Sequence, residues 1–453
     1  MTDRSNKHRM ARRAFFRSAA ALGSGAVLTS RAAEPKAEAE KKAEDLSVAM
    51  IGVGAQGQLL LGSCLKIPGI RFRAVCDIWK DFNLDGASQM LRAYNHEHRA
   101  YVDYREMLEK ERQQLNAVII ATPDFCHAEQ AVACLKAGLH VYCEAPMSNT
   151  VEGARQMVQA AKESGKLLQI GMQRRSNPRY IHCCEKVVRE LKLLGQITAI
   201  SGQWNRSVQP DRGWPKRATM DEAALARYGY PSMQQFRNWQ WHKKLGGGPV
   251  AEFGSHQIDV FNWFLDARPT AVMAAGGTEY YDRKTHEWCD TVMAILEYPV
   301  RQRTVRVLYQ IVASNGNLGY YEKFLGADGA LVISEAAGLA NLFREATAPD
   351  WGKWVNLGFL VQTGKRPDQT DGTRTSVVSI TDSVTQTHYT VPVEFKEPIQ
   401  KAHLENFFAA IQGKAQLNCP AEVGYAAAVT ASKIYEAIET GRKIGLKAED
   451  FQI

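Results

Sequence analysis

Residues 48–57 are Val-Ala-Met-Ile-Gly-Val-Gly-Ala-Gln-Gly, an apolar run followed by a turn with glycines at its first, third and sixth positions. The first two glycines allow a tight turn and close backbone approach to a pyrophosphate, and the third lets the following helix pack on the sheet. The helix N-terminus then offers unpaired N–H groups to the phosphates. The sequence therefore predicts a dinucleotide-binding turn with contacts from Gly52, Gly54, Ala55, Gln56 and Gly57.

An acidic residue follows the next strand-like run. Asp77 comes directly after residues 72–76, at the separation where a carboxylate accepts hydrogen bonds from the ribose hydroxyls of a dinucleotide. A carboxylate there repels a 2′-phosphate, so NAD is favoured over NADP, although Lys80 is near enough to weaken this preference. A chance glycine-rich turn is the alternative, but strand, turn, helix and acid occur together in the required order.

The first 33 residues are similar to an export signal. Arg12 and Arg13 precede a modest apolar stretch at 18–28, and small residues follow at Ser30, Ala32 and Ala33. The apolar stretch is too short and too rich in Gly and Ser to span a bilayer comfortably. We predict a twin-arginine signal peptide at 1–33, an extracytoplasmic destination, and no stable membrane span after its removal. The alternative is a disordered basic tail.

Composition is that of an ordinary globular enzyme with two domains. The chain has 453 residues, of which 45% are apolar and 23% charged, and this length exceeds what one core usually holds. The formal charge is +8, but residues 1–33 carry seven Arg or Lys and one Asp, which leaves about +2 for the remainder. Nucleic-acid binding therefore has no electrostatic support.

The cysteines and histidines do not form a metal motif. Nine cysteines are scattered without a CxxC pair, and no HExxH occurs. Most of the cysteines are predicted to be small buried apolar residues. We expect no metal site.

The pattern of elements divides the remaining chain in two. Residues 34–46, rich in Ala, Glu and Lys, are predicted as a solvated linker. Residues 47–171 alternate strands and helices as in a Rossmann domain with a parallel sheet. Predicted elements there are strands at 117–121, 141–143 and 167–171, a helix at 127–137, and a helix from a capping pair, Asn149 and Glu152, to residue 164.

Residues 172–453 favour longer strands and are predicted as a second α/β domain with a large, open, mostly antiparallel sheet. Its predicted strands are 198–204, 271–276, 290–298, 305–312 and 330–334. One helix follows Gly246, Gly247 and Gly248 and starts near Pro249.

That helix carries three polar groups at helical spacing. Glu252, His256 and Asp259 are separated by four and three residues, so their side chains share one stripe. Two acids and an imidazole on one face suit general acid–base catalysis. A solvated polar stripe is the alternative.

These features together resemble the glucose-fructose oxidoreductase and inositol dehydrogenase (Gfo/Idh/MocA) family, from residue 47 to the C-terminus. The resemblance rests on the glycine turn, Ala-Thr-Pro at 121–123 with His127, Glu-x-Pro at 144–146, the glycine-rich lead into the polar helix, and the tail at 418–425. It implies that an open-sheet domain covers the nicotinamide, that sugars or polyols are the usual substrates, and that a C-terminal helix at 420–441 returns to the Rossmann side. It also implies cofactor contacts at Thr122, Pro123, His127, Glu144, Ala145 and Gln173.

Two departures from the family pattern fall at catalytic positions. Ala145 replaces the lysine of the family's Glu-Lys-Pro, and Glu252 stands where the family has Asp four residues before His. Without the lysine, His256 is the best remaining general base, with an ordinary pKa near 6.5, and Glu252 is a candidate to orient it. As an alternative, Lys243 or Lys244 replaces the missing amine.

Aromatic and polar residues provide candidate sugar contacts, because tryptophan faces stack on sugar rings and amides bind hydroxyls. The candidates are Trp204, Asn205, Trp239, Trp241, His242 and Tyr320, with Tyr321 as an alternative acid. Each tryptophan individually also fits a core position. Arg174 and Arg175 fit either an acidic substrate or a domain seam.

Export and cofactor together constrain the chemistry. A nicotinamide enzyme outside the cytoplasm has no soluble pool to reoxidise its cofactor, so the redox cycle is expected to close within the site. Three hypotheses remain: an NAD-dependent oxidoreductase of a sugar with tightly held cofactor, a redox-neutral NAD-dependent glycoside hydrolase, and a catalytically silent sugar-binding relative. The open sheet also favours a homo-oligomer.

Overall fold

Six parallel strands form the first sheet of the computed structural model, which describes residues 45–336, 339–364 and 386–453. In sheet order, the strands are β3, β2, β1, β4, β5 and β6. Their bounds are β1 Leu46–Ile51, β2 Ile70–Cys76, β3 Arg99–Tyr101, β4 Ala117–Ile120, β5 His140–Cys143 and β6 Leu168–Ile170. This confirms the Rossmann prediction, and it makes Leu46, which we had predicted as linker, the first residue of β1. The predicted signal peptide lies outside the described residues.

Helices cover this sheet and begin close to the predicted positions. They are α1 Ala55–Cys64, α2 Asp85–Ala93, α3 Tyr104–Glu111, α4 Asp124–Lys136 and α5 Val151–Ser164. The N-cap of α5 is Thr150, whose hydroxyl accepts from the Gly153 N–H. The predicted capping pair of Asn149 and Glu152 is therefore wrong by one residue. A π-helical turn, Lys80–Leu84, leads into α2.

The second sheet has ten strands in the described part of the chain, and only β7 and β10 run parallel. Their bounds are β7 Ile197–Asn205, β8 Ala271–Gly277, β9 Thr291–Val300, β10 Arg303–Val312, β11 Tyr320–Gly326, β12 Gly329–Ile333, β13 Ala340–Arg344, β14 Val361–Gln362, β15 Thr387–Thr390 and β16 Ile444–Gly445. The open, mostly antiparallel sheet is thus confirmed. The sequence analysis missed β11 and β13, which flank β12.

Shorter helices connect and cover the second sheet. They are α6 Pro178–Ile181, α7 Glu222–Arg227, α8 Met233–Arg237, α9 Ser255–Leu265, α10 Gly352–Asn356, α11 Ile399–Ile411 and α12 Ala421–Thr440. A π-helical stretch, His182–Glu190, extends α6, and another, Val250–Gly254, leads into α9. Phe264 of α9 stacks on Phe324 of β11, with ring centroids 4.7 Å apart. Because this apolar side of α9 is buried, it determines the direction in which the polar side chains of the helix point.

Two C-terminal helices join the sheets. Leu404, Phe407 and Phe408 of α11 belong to the core of the first sheet. The helix α12 packs between the two sheets, and a Cβ on its Gly424 would lie 2.7 Å from Ile170 of β6. This contact leaves no room for a larger residue at position 424.

Residues 206–245, here called the cap segment, lie over the mouth of the first sheet. Their buried side chains, including Leu225, Tyr230 and Phe236, form a cluster with Trp79, which follows β2. The Trp79 indole N–H donates to the carbonyl of Ala218 at 2.6 Å. Predictions from the sequence touched only residues 239–244 of this segment, as candidate sugar contacts and lysines, and its role as a cap was not predicted.

Seven of the nine cysteines are buried, and all nine are free thiols, as predicted. No helix within the described ranges is long and apolar enough to cross a bilayer. The same ranges contain no group of three or more His, Cys, Asp or Glu residues arranged to hold a metal.

Candidate active site

The three glycines of the turn differ in what surrounds them. Gly52 has φ +84°, and a Cβ there would lie 2.6 Å from the Ala121 carbonyl carbon. A Cβ on Gly57 would lie 2.1 Å from the Gly52 oxygen, whereas one on Gly54 would meet only Asn83 at 3.6 Å. The protein itself therefore requires glycine at 52 and 57. The space beside Gly54 stays open, which fits the close approach of a pyrophosphate.

Asp77 lies at the end of β2, as predicted, and orders the turn. Its carboxylate accepts the N–H groups of Val53 and Trp79, both at 2.8 Å. Burial raises its pKa, and these hydrogen bonds oppose the rise. Asp77 also lines the adjacent cavity. Its predicted contact with a ribose stays a prediction.

A cavity of about 790 Å³ opens at this edge of the sheet. It is lined by most of the predicted cofactor residues, namely Gly52, Gly54, Ala55, Gln56, Asp77, Thr122, Pro123, His127, Glu144 and Ala145. The cap segment supplies the opposite wall with Tyr228, Tyr230, Phe236 and Trp239. This volume lies within the range that small-molecule and cofactor sites usually have. Gly57 and Gln173 do not line it but support residues that do.

Glu144 is fixed by hydrogen bonds at one wall of this cavity. Gln56 donates to it at 2.9 Å and Gln173 at 3.0 Å. Burial raises the pKa of Glu144. Ala145 follows it and supplies neither charge nor donor. The Glu-Ala-Pro motif therefore keeps the acid of the family's Glu-Lys-Pro but lacks its amine. Glu144 is held between Gln56 of the glycine turn and Gln173, which follows β6.

Neither proposed lysine replaces the missing amine. Lys243 Nζ lies 3.5 Å from Glu439 and over the Trp288 ring, and its side chain is half exposed. Lys244 is exposed. Neither lysine lines the large cavity. The alternative that one of them takes over the role is therefore wrong.

His256 is largely enclosed, and its pKa departs from the ordinary value that we had predicted. Burial, and then the positive charge of Arg174, lower the pKa to about 4. The imidazole is therefore neutral at physiological pH. The Trp204 ring centroid lies 6.3 Å from that of His256.

Asp259 is engaged by the protein itself. Both of its oxygens accept from Arg175, at 2.8 to 3.0 Å. Arg174 likewise pairs with Glu322 at 2.6 Å and Glu335 at 2.8 Å. These buried ion pairs tie the segment after β6 to the second sheet and to α9, which favours the domain seam over an acidic substrate for both arginines. Asp259 therefore serves to position α9, and this replaces the catalytic role that we had predicted for it.

A second carboxyl that the sequence analysis missed faces Glu252. Asp124 starts α4, accepts from the Gly247 N–H at 2.8 Å and is almost fully buried. Burial raises its pKa to about 7. Burial, and then the charge of Asp124, raise the pKa of Glu252 well above its ordinary value. Both shifts favour retention of a proton by this pair of carboxyls. An acid directly after Thr122-Pro123 at a strand end was the available signal.

The shifted pKa of Asp124 predicts a pH-dependent stability. Its carboxyl binds a proton more tightly in the folded than in the unfolded state, so its contribution falls as pH rises from about 4 to about 7. Asp124→Asn removes this titration while keeping an acceptor for Gly247. Between pH 5 and 7 the wild type should lose about 1–3 kcal/mol of unfolding free energy relative to this variant, measured by urea denaturation. Asp221→Asn, at an exposed carboxylate that also accepts backbone N–H groups, is the control, and equal slopes for all three proteins would contradict the assignment.

The predicted sugar contacts are only partly brought together. Trp204 stacks on Tyr320 at 4.7 Å and on Phe253 at 5.3 Å, beside His256. Asn205 donates to the Asn317 carbonyl and accepts from Gln310, and His242 Nδ1 contacts Glu287, so these polar groups are engaged within the protein. Trp239 lines the large cavity and also a smaller one of about 300 Å³ that contains Glu252.

The first domain has a parallel six-stranded sheet with a glycine turn at its switch point. The second, open-sheet domain forms another wall of the same cavity. Together these features define a two-domain dinucleotide-dependent protein. The family model "Oxidoreductase family, NAD-binding Rossmann fold" matches residues 46–172, and "Oxidoreductase family, C-terminal alpha/beta domain" matches 192–446. The chain belongs to this Gfo/Idh/MocA family, whose cofactor is NAD.

Similar proteins include dehydrogenases. The 4-carboxy-2-hydroxymuconate-6-semialdehyde dehydrogenase of Sphingobium sp. is 28% identical over 38% of this chain and 53% of its own length. The inositol 2-dehydrogenase of Rubrobacter xylanophilus is 29% identical over 38% of this chain and 46% of its own. The chain thus spans about half the length of the curated relatives it matches.

Solved structures share the whole architecture at low identity. The aldose-aldose oxidoreductase of Caulobacter crescentus, complexed with glycerol, has a TM-score of 0.65 at 16% identity, covering 89% of this chain and 100% of that one. A levoglucosan dehydrogenase complexed with NADH and L-sorbose has a TM-score of 0.64 at 18% identity, covering 89% and 99%. At these identities the likeness concerns the fold.

Proposed function

We propose that this protein is an NAD-dependent oxidoreductase of a sugar or sugar derivative, with a tightly held cofactor and His256 as general base. The observation that carries the proposal is the shared wall of the two cavities. Trp239 lines both, so the space beside the glycine turn adjoins the space beside Glu252. The sugar-bound and polyol-acting relatives named above support the substrate class.

The residues of this chain account for the proton in such a reaction. Bound NAD supplies the hydride acceptor. His256 is neutral and holds a lone pair for the proton of the substrate hydroxyl. Burial raises the pKa of Glu252, which favours its protonated form, and in that form it can donate a hydrogen bond to a substrate oxygen. Because Ala145 supplies no ammonium, proton transfer falls to His256.

Cofactor retention is supported by the cap segment. Trp79 binds it to the end of β2, the Phe125 N–H donates to the Leu245 carbonyl, and the Tyr228 hydroxyl donates to the Val102 carbonyl. These contacts span the cavity mouth, so release of a bound dinucleotide requires several of them to break. Slow release suits export of the folded protein by the predicted twin-arginine signal at 1–33, with NAD as passenger and a redox cycle that closes within the site.

Redox-neutral glycoside hydrolysis is the second candidate, and the carboxyl pair favours it. Elimination of a glycosidic substituent needs a proton for the leaving group, and the raised pKa values of Asp124 and Glu252 favour a proton on this pair. In this route a ring hydroxyl is oxidised, the substituent leaves, water adds and the hydride returns. The cofactor ends as NAD.

Single-turnover spectroscopy on the purified holoprotein separates the candidates. We expect that addition of a suitable free sugar produces the NADH absorbance band in an amount equal to the bound NAD. A chromogenic glycoside cleaved without lasting NADH would support the hydrolase instead. A protein that binds sugars and does neither would be the silent relative, and both catalytic proposals would fail.

We further propose a homo-oligomer formed through the open face of the second sheet. Met273, Ile295 and Leu308 lie opposite one another on β8, β9 and β10 and are 37%, 37% and 53% exposed. Directly opposed residues share one face, so these side chains form an apolar stripe.

Ile295→Lys places a charge in the middle of this stripe and should shift the mass measured by light scattering toward the monomer. Burying an unpaired charge costs several kcal/mol, enough to dissociate a symmetric contact. Ile181→Lys, at an equally exposed isoleucine on α6, should leave the mass unchanged. A monomeric wild type, or an unaltered Ile295→Lys oligomer, would contradict this interface.

A further inference from the structure

We propose that the smaller cavity, between the cap segment and the helical turn that carries Glu252, binds an anionic substituent of the sugar, a carboxylate or a phosphate. This inference rests on the proposed function and narrows its substrate class to acidic sugars. The cavity has a volume of about 300 Å³, which suits a monosaccharide.

Two guanidinium groups give this cavity its charge. Arg206 and Arg212 both line it. Within the described ranges neither guanidinium has an ion pair or a hydrogen bond, and Arg206 lies only over the Phe253 ring at 4.6 Å. Arg174 and Arg175, by contrast, form ion pairs within the domain seam. An unpaired, half-buried guanidinium is costly unless a ligand supplies the counter-charge, and its planar fork matches carboxylate or phosphate oxygens.

Neither acid near these cations forms an ion pair with them in the described part of the chain. Burial, and then the charge of Asp124, raise the pKa of Glu252, which opposes its ionisation. Asp211 is exposed at the rim, where Gln234 donates to it at 2.6 Å. The two guanidinium groups therefore remain unpaired positive charges in the wall of the cavity. A charged ligand would be attracted to it over and above its hydroxyl contacts.

The other groups of the cavity suit a sugar ring. Glu252 Oε1 and Gln240 Oε1 are buried and have no hydrogen-bond partner in the described part of the chain. Both can accept from sugar hydroxyls, and leaving them unpaired costs free energy. Trp239 and Phe253 add aromatic surface. Arg212 and Trp239 also line the larger cavity, so a ligand held by the arginines lies next to the dinucleotide site.

Binding of defined sugars to the NAD-loaded protein tests the proposal. The acidic probes are D-glucuronate, D-galacturonate and D-glucose 6-phosphate, and the neutral probes are D-glucose and D-galactose. Binding of each probe is measured by calorimetry. We expect at least one acidic sugar to bind about tenfold or more tightly than its neutral counterpart, and added salt to reduce this difference. The uronates and the phosphate show which anionic group the cavity takes. Equal or better binding of the neutral sugars would overturn the proposal, as would failure of every acidic sugar to bind.

Variants locate the effect. Arg206→Gln and Arg212→Gln should each lose about tenfold or more in acidic-sugar affinity, with Arg206→Lys intermediate. Arg268→Gln is the matched control, because Arg268 also lies over an aromatic ring, Phe451 at 5.3 Å, outside the cavity. Arg212 is exposed, so its variant keeps the test valid if Arg206→Gln folds poorly. If the variants bind acidic sugars as well as the wild type but lose the retained NAD, the arginines contact the dinucleotide instead, and the proposal is overturned.

The outcomes separate this inference from the proposed function. If neutral sugars reduce the bound NAD and both arginine variants are unaffected, the oxidoreductase stands and the anionic subsite fails. If acidic sugars bind through the arginines but no sugar reduces NAD, the subsite stands and the oxidoreductase fails.

Discussion

Replacing His256 by alanine is expected to slow sugar-dependent reduction of the bound NAD by about 10²–10⁴-fold, because a positioned general base contributes a factor of that size. Cofactor content should not change, since His256 lies beside Trp204 and Arg174 and does not line the dinucleotide cavity. Stopped-flow absorbance with a saturating sugar measures the rate, and heat release of the dinucleotide measures retention.

The pH profile and a second histidine provide the controls. With a pKa of about 4, His256 loses its basic form only in strongly acidic solution, so the wild-type rate should show no loss near pH 6.5 from this residue. His182, another histidine whose pKa is lowered by burial, contacts Phe359 away from the cavities. His182→Ala should keep full activity. Full activity of His256→Ala would remove the assigned base.

Alanine at Gly54 and at Gly57 should have opposite effects. At Gly57 the added Cβ would meet the Gly52 oxygen at 2.1 Å, so α1 has to move off β1, and we expect a loss of about 1–3 kcal/mol in unfolding free energy. Gly54 has φ −68°, which any residue adopts. Gly54→Ala should therefore cost less than about 1 kcal/mol but reduce NAD affinity about tenfold or more, because the methyl group occupies the approach of the pyrophosphate.

Thermal unfolding with and without added NAD distinguishes the two variants. For Gly54→Ala the Tm without NAD should be nearly that of the wild type, and the increase on adding NAD should be smaller. For Gly57→Ala the Tm should already be low without NAD. Undiminished NAD binding by a stable Gly54→Ala protein would contradict the placement of the pyrophosphate.

Features set by neighbouring residues were predictable from the sequence. The glycine turn and Asp77 follow from steric and hydrogen-bonding needs within a short stretch, and the alternation of β9 and β10 follows from one buried face. The helix that carries Glu252 and His256 was also found, since it depends on spacing along one chain segment.

Features that depend on distant segments were not predictable. The low pKa of His256 comes from burial and from Arg174, which follows β6 of the first sheet. The cap segment is held by a bond between Trp79 and Ala218, which are far apart in sequence. Asp124 became a candidate only when the fold placed it against Gly247 and Glu252. Its position after Thr122-Pro123 at a strand end was the local signal, but its burial depends on the distant segment that contains Gly247.

The proposed function requires that NAD is held by the folded chain and reduced there by a sugar. We would purify the folded protein without added cofactor, release the dinucleotide by heat, and quantify it against protein. We expect NAD in an amount stoichiometric with the chain, and its conversion to NADH when a substrate sugar is added before release. A chain that emerges without dinucleotide and takes up none when NAD is supplied would contradict the proposed function.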